Sequence, residues 1–224
     1  MSRNTAVATG NAQKEGLRSR GRPKLKPDCV QRQEILEAAK DLFLTRGYGK
    51  TTTDDIAAQC GISKRTLYRL YQSKIDLFAG IIESHRSQMF VLPKGRQDIS
   101  ATVALEYMFR IDLTPQEEAE TEELLGIVAT ESDRCPELRE IVRQHGAEVA
   151  IAQLAHWLSD RHNAGEVTID DPHACAQILM DMVFGTLGKH LPERPSLPRG
   201  QARIEHIRRC ISIFLHGVAA DRTH

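Results

Sequence analysis

The chain has 224 residues, of which 41% are hydrophobic and 27% charged, the composition of an ordinary globular protein with room for a small head and a larger body. It holds no apolar run of the roughly 18 residues needed to cross a bilayer and no apolar secretory core at its N-terminus, so a cytoplasmic protein without a membrane partner is expected. The zero net charge hides an asymmetry: residues 1–80 carry 15 Lys and Arg against 8 Asp and Glu, and the remainder is acidic by the same margin. A basic head on an acidic body points to a polyanion partner at one end. The five cysteines, Cys29, Cys60, Cys135, Cys175 and Cys210, are odd in number and too far apart for a CxxC metal or redox motif. They read as reduced, mostly buried thiols, with a redox-sensing one as the alternative.

Residues 1–27 have almost no large apolar side chains but include Arg18, Arg20, Arg22, Lys24 and Lys26, and read as a disordered basic arm. Arg22 between Gly21 and Pro23 suits a narrow minor groove; a plain solvated tail explains the same residues. A first helix is predicted over 29–46, with Ile35, Ala38, Ala39, Leu42 and Phe43 on one face and Gly47 as its stop. Thr52 with Asp55 opens a second helix that ends near Cys60-Gly61, and Ser63 opens a third that runs to about Tyr71. Two short helices joined by a Gly turn form a helix-turn-helix. Ser73 with Asp76 opens a fourth helix that runs to about Leu92, before Pro93. Further helices are predicted at about 98–112, 115–132, 136–162, 172–188 and 200–219. The fold class is therefore all-α, with about nine helices: a DNA-binding head over 28–75 and an effector-binding and dimerisation body over 76–220.

On the third helix, at 100° per residue, Leu67, Leu70 and Tyr71 cluster inward, which turns Arg65 and Arg69 outward with Thr66 and Tyr68 beside them and Lys64 in the first turn. Arg pairs with guanine O6 and N7, whereas Lys, Thr and Tyr more often fix phosphates. A solvated basic face is the alternative. Lys50, Thr51 and Thr52 before the second helix, and Ser73 with Lys74 before the fourth, add donor clusters on either side. The candidate DNA-binding residues are thus Lys50, Thr51, Thr52, Ser63, Lys64, Arg65, Thr66, Tyr68, Arg69 and Lys74, with Arg22 from the arm.

Residues 35–82 resemble the DNA-binding domain of the tetracycline-repressor (TetR) family. The resemblance is carried by Ile35 to Phe43, Gly47-Tyr48, Thr51-Thr52, Ile56-Ala57, Gly61-Ile62-Ser63-Lys64, Thr66-Leu67-Tyr68, Tyr71, Ser73-Lys74 and Leu77. It implies phosphate contacts at Thr52 and Lys74, a major-groove face at Lys64, Thr66 and Tyr68, and core positions at Leu67 and Tyr71. Arg65, Leu70 and Tyr71 depart from the usual family residues, so the operator sequence does not follow. The stretch from Glu123 through Glu131, Pro136-Glu137-Leu138 and on to Trp157-Leu158 is similar to the C-terminal domain of AefR-type members.

In the body, Ile204, Ile211 and Val218 recur every seven residues, interleaved with Ile207 and Phe214. This seam suits a copy of itself or the chain's own core. The preceding helix is apolar over much of its circumference, through Ile178, Leu179, Met182, Val183, Phe184 and Leu187. Together they fit the family's four-helix interface, implying a homodimer through helices 172–188 and 200–219 that spans a palindromic operator in double-stranded DNA. The resemblance also implies a small organic effector. Candidate pocket residues are His85, Met89, Tyr107, Met108, Phe109, Glu131, His145, Trp157 and Met180; core packing is the alternative for each. There is no Gly-rich phosphate loop, GxSxG or HExxH, and His145 and His156 are too far apart for a local metal pair. No catalytic residue, metal site or cofactor is expected. The expected function is a DNA-binding transcriptional repressor released by its effector, with an activator or an effector-free architectural protein as alternatives.

Overall fold

A computed structural model describes residues 27–93, 95, 99–185 and 198–218. Arg22 and the rest of the basic arm up to residue 26, and the tail of the predicted 172–188 helix, lie outside the described residues. The helices are α1 (Asp28–Arg46), α2 (Thr53–Gln59), α3 (Lys64–Leu70), α4 (Lys74–Met89), α5 (Ala101–Met108), α6 (Pro115–Glu131), α7 (Glu137–Ile141), α8 (Glu148–Asn163), α9 (Pro172–Phe184) and α10 (Gly200–Gly217). A π-helical segment, Val142–Ala147, joins α7 to α8, so the described residues form nine continuous rods.

Most helix starts are set by their own side chains. Thr52, Ser63, Ser73, Ser100 and Thr114 each accept a hydrogen bond from the backbone N–H three residues on, and Thr52 and Thr114 complete reciprocal boxes with Asp55 and Glu117. Pro115 and Pro172 stand at the first helical position, where the missing N–H has no intrahelical use. Two helices end earlier than their sequence pattern suggests. The predicted 98–112 helix stops at Met108 because Arg203 takes the carbonyls of Phe109 and Arg110 (2.9 and 2.8 Å), and Arg110 turns the chain at φ 48°. The fourth stops at Met89, and Val91 N–H then pairs with the Met108 carbonyl at 3.2 Å.

Two cores are joined by α4. The first packs Ile35, Ala39 and Phe43 of α1, Ile56 of α2, Leu67 of α3 and Leu77 and Phe78 of α4. It also takes in Leu124 and Ile127 of α6 and Leu138 of α7, so the head is seated on the body through apolar contact. The rings of Phe43, Tyr48 and Phe78 meet at 5.0–6.3 Å at its centre. The second core gathers Phe90, Leu105, Met108, Phe109, Leu154, Leu158, Leu179, Ile207 and Phe214. At about 1.5–3 kcal/mol per fully buried large side chain, these clusters are the main stabilising term. Ile207, Ile211 and Phe214 of the heptad seam point into this second core, so the seam is used within the subunit. No helix among the described residues is long and apolar enough to cross a membrane.

Candidate nucleic-acid interface and body cavity

The packing of α3 decides which of its side chains face outward. Leu67 and Leu70 are buried, whereas Lys64, Arg65 and Tyr68 are exposed. Ser63 caps the helix and its Oγ lies 2.8 Å from Thr66 Oγ1, so both hydroxyls are held at the first turn. The Tyr68 hydroxyl meets Thr53 Oγ1 at 2.9 Å, and Lys64 Nζ meets Asp54 at 2.5 Å. These two contacts place the start of α2 and the outer face of α3 on one continuous surface. Asp54 holds Lys64 above the ordinary lysine range. Arg65 is exposed and makes no hydrogen bond or ion pair with another described residue. Lys50 is likewise exposed without such a partner, and Thr52 is exposed at the α2 cap.

Three nominated residues are engaged elsewhere. Thr51 is 0% exposed and its hydroxyl donates to the carbonyls of Gly47 (2.9 Å) and Leu42 (3.2 Å), so its side chain is a strut of the α1–α2 turn and is not available to a phosphate. Lys74 Nζ donates to the carbonyls of Tyr48 (2.8 Å) and Thr51 (3.0 Å) and lies 4.2 Å over the Tyr48 ring. Arg69 forms a two-pronged pair with Asp28 (2.7 and 3.0 Å) and reaches Gln31, which turns it back onto the start of α1. Asp28 in turn keeps its carboxyl below the usual range through that pair. The sequence reading passed over Thr53, although it stands next to the cap residue Thr52.

The body contains a cavity of about 520 Å³ between α4, α6, the π segment and α8–α10. Of the nominated pocket residues it brings together His85, Met89 and Met180. Its other walls include Ile82, Phe90, Thr121, Leu124, Leu125, Ile151, His206 and Ile207, none nominated from sequence. Met108 and Phe109 are fully buried behind the wall, with the Phe109 ring 5.7 Å from Phe90 and 5.9 Å from Phe184. Tyr107 is exposed on α5. Trp157 packs at the edge of the second core beneath the Arg161 guanidinium, 5.0 Å from its ring. His145 pairs with Glu83 at 2.7 Å outside the cavity.

Glu131 is also away from the cavity. Its carboxylate faces the Gly47–Gly49 turn, 2.9 Å from where a Cβ on Gly47 would stand and 3.1 Å from one on Gly49. Its Oε2 is buried with no hydrogen-bond partner among the described residues.

Residues 35–81 match the family model described as bacterial regulatory proteins, tetR family, and residues 105–217 match that of the AefR-like transcriptional repressor C-terminal domain. The activator FasR of Mycolicibacterium smegmatis is 34% identical over 82 residues, a stretch covering 37% of this chain and 36% of FasR. The repressor BepR of Brucella suis is 28% identical over 205 residues, covering 84% of this chain and 92% of BepR. The solved structure of the flavonoid-responsive regulator FrrA aligns with a TM-score of 0.62 at 27% identity, covering 87% of this chain and 100% of FrrA. The chain belongs to the TetR family of helix-turn-helix transcriptional regulators and carries an AefR-like C-terminal domain.

Proposed function

We propose that this regulator binds a palindromic operator as a homodimer and represses transcription until a small organic molecule occupies the body cavity. The observation that carries the reading is the presentation of Arg65 and Tyr68. Both stand exposed on a short helix whose opposite face is locked into the core, on a head seated directly above a cavity of about 520 Å³. Residues 28–75 serve as the DNA-binding unit and 76–220 as the effector and dimer unit, in the cytoplasm where the operator is accessible. Lys50, Thr52, Lys64 and the Ser63–Thr66 cap fix the backbone, and Arg65 reads bases. A solid body would favour an effector-free architectural protein; a cavity of drug-ligand size favours an effector. The BepR comparison, with repression in that protein's name, and the repressor description of the C-terminal model favour repression over activation. The FasR match is confined to about a third of each chain and bears on the head alone.

The test is an Arg65→Ala/Tyr68→Ala double substitution. Specific operator affinity should fall at least 100-fold, about 3 kcal/mol, while helicity and oligomeric state are unchanged. Unaltered operator affinity in a mobility-shift or anisotropy titration overturns the assignment of α3 as the reading helix.

A further inference from the structure

The cavity supports an inference that rests on the effector reading and narrows it to a ligand class. The charged side chains on its wall have partners among the described residues, charged ones for Glu118, Glu122, Arg199 and Arg203 and neutral ones for Arg86 and Asp181. Glu118 accepts the Gly200 N–H at 2.9 Å and faces Arg203 at 3.8 Å, and Arg203 is further held by the Phe109 and Arg110 carbonyls. Glu122 is paired with Arg199, and Asp181 accepts from Gln177. Arg86 donates to the His145 carbonyl and to Gln153. Of the other polar groups, Thr121 donates to the Glu117 carbonyl and His206 meets the Val183 carbonyl through Nε2.

His85 is the exception. It lines the cavity one helical turn before Met89, yet makes no hydrogen bond or ion pair with any described residue. Burial pushes its imidazole down to about 4, and the charge of Lys40 acts in the same direction. The ring is therefore neutral at pH 7 and offers one N–H donor and one lone pair. Around it stand apolar and polarisable groups, Ile82, Met89, Phe90 and Met180 among them. Thioether and ring-edge surfaces favour flat ring systems.

We propose that the cavity selects ring-containing ligands bearing a hydroxyl or carbonyl group, and that His85 is the residue that reads this group. It is a specificity-determining residue in the wall.

The test uses the full-length protein and one scaffold in two forms, 4-hydroxybiphenyl and biphenyl. Titration calorimetry at pH 7.5 should rank the hydroxyl compound about tenfold tighter than biphenyl, the weight of one neutral hydrogen bond. His85→Leu should erase the preference for the hydroxyl while biphenyl still binds, and His85→Gln should restore part of it. A hydroxyl preference that survives His85→Leu, or failure of both compounds to bind, overturns the proposal. Operator release is measured in parallel. A bound 4-hydroxybiphenyl that leaves operator affinity unchanged supports the ligand class and counts against the effector reading, which separates the two failures.

Discussion

Thr51 and Thr52 are neighbours of the same type with different work. Thr51 is sealed under the α1–α2 turn with its hydroxyl on two carbonyls, whereas Thr52 caps α2 at the surface. Thr51→Val should lower unfolding stability by about 1–2 kcal/mol, because two buried acceptors lose their donor. It should leave the operator affinity of the folded protein within about twofold, as read by denaturant unfolding and anisotropy. A large affinity loss with unchanged stability would return Thr51 to the phosphate-binding set. His85 gives a second residue-scale expectation. Its folded value of about 4 lies below the ordinary 6.5, so between those values the unfolded chain binds more protons. Stability therefore rises with pH through that window and is flat with respect to this group above pH 7. The Lys40–Glu120 pair (2.7 Å) faces the same ring, with opposed effects on it, and Glu120 is itself held below its usual range by Lys40. Comparison with His85→Leu isolates the histidine: the variant should lose about 2–3 kcal/mol less than the parent between pH 7 and pH 4. Equal losses would mean that the ring is not desolvated in the folded protein.

At the scale of elements, the helices were legible because their instructions are local. The Thr52, Ser63, Ser73 and Thr114 caps and the apolar periodicity of α1 and α3 each act within a turn or two. The side chains of the site were less legible because their partners are remote. Arg69 is held by Asp28, 41 positions away, and Lys74 by the Tyr48 carbonyl, 26 positions away; neither capture leaves a trace in helical spacing. The cavity is assembled from α4, α6, the π segment and α8–α10, so only residues on strongly apolar faces, such as Met89 and Met180, could be nominated. Glu131 shows the same limit. As the last residue of α6 it was read as a pocket group, yet it meets the glycine turn that leads into α2. The other part of α6 lines the cavity through Glu118, Thr121 and Leu125, which makes this helix a rigid link between cavity and head. Gly49 lacks the left-handed backbone of Gly47, so an alanine there meets only the Glu131 carboxylate. Gly49→Ala and Glu131→Ala should therefore be non-additive, the double variant being more stable than the sum of the singles by at least about 0.5 kcal/mol. Additive effects in a denaturant-unfolding cycle would show that the carboxylate does not press on the turn.

For the whole molecule, the proposed operator binding as a homodimer would need two heads at a fixed separation, and the surface that would set it is what the body core leaves uncovered. Ile207, Ile211 and Phe214 are used within the subunit core and leave little surface for a contact between copies. What remains on these two helices is Ile178, 54% exposed, and Ile213, 58% exposed. The hydrogen bonds from Thr168 N–H to the Val218 carbonyl and from Cys210 Sγ to the Met182 carbonyl run α9 and α10 antiparallel, which brings Ile178 about level with Ile213. Two large aliphatic side chains at one level on neighbouring helices suit a self-complementary two-fold contact. Burial of each would contribute roughly 1.5–3 kcal/mol, and a two-fold axis presents both pairs. A buried, unpaired carboxylate in their place would oppose association strongly. Ile178→Glu/Ile213→Glu should therefore yield a folded monomer by analytical ultracentrifugation at micromolar concentration. Because α3 lies far from these positions in sequence and packs on a separate core, its residues stay in place in that monomer. Binding to a single half-site should persist weakly, whereas affinity for the full palindrome should collapse toward that half-site value, since the second head no longer arrives with the first. A doubly substituted protein that still sediments as a dimer and retains full operator affinity would place the subunit contact elsewhere on the body.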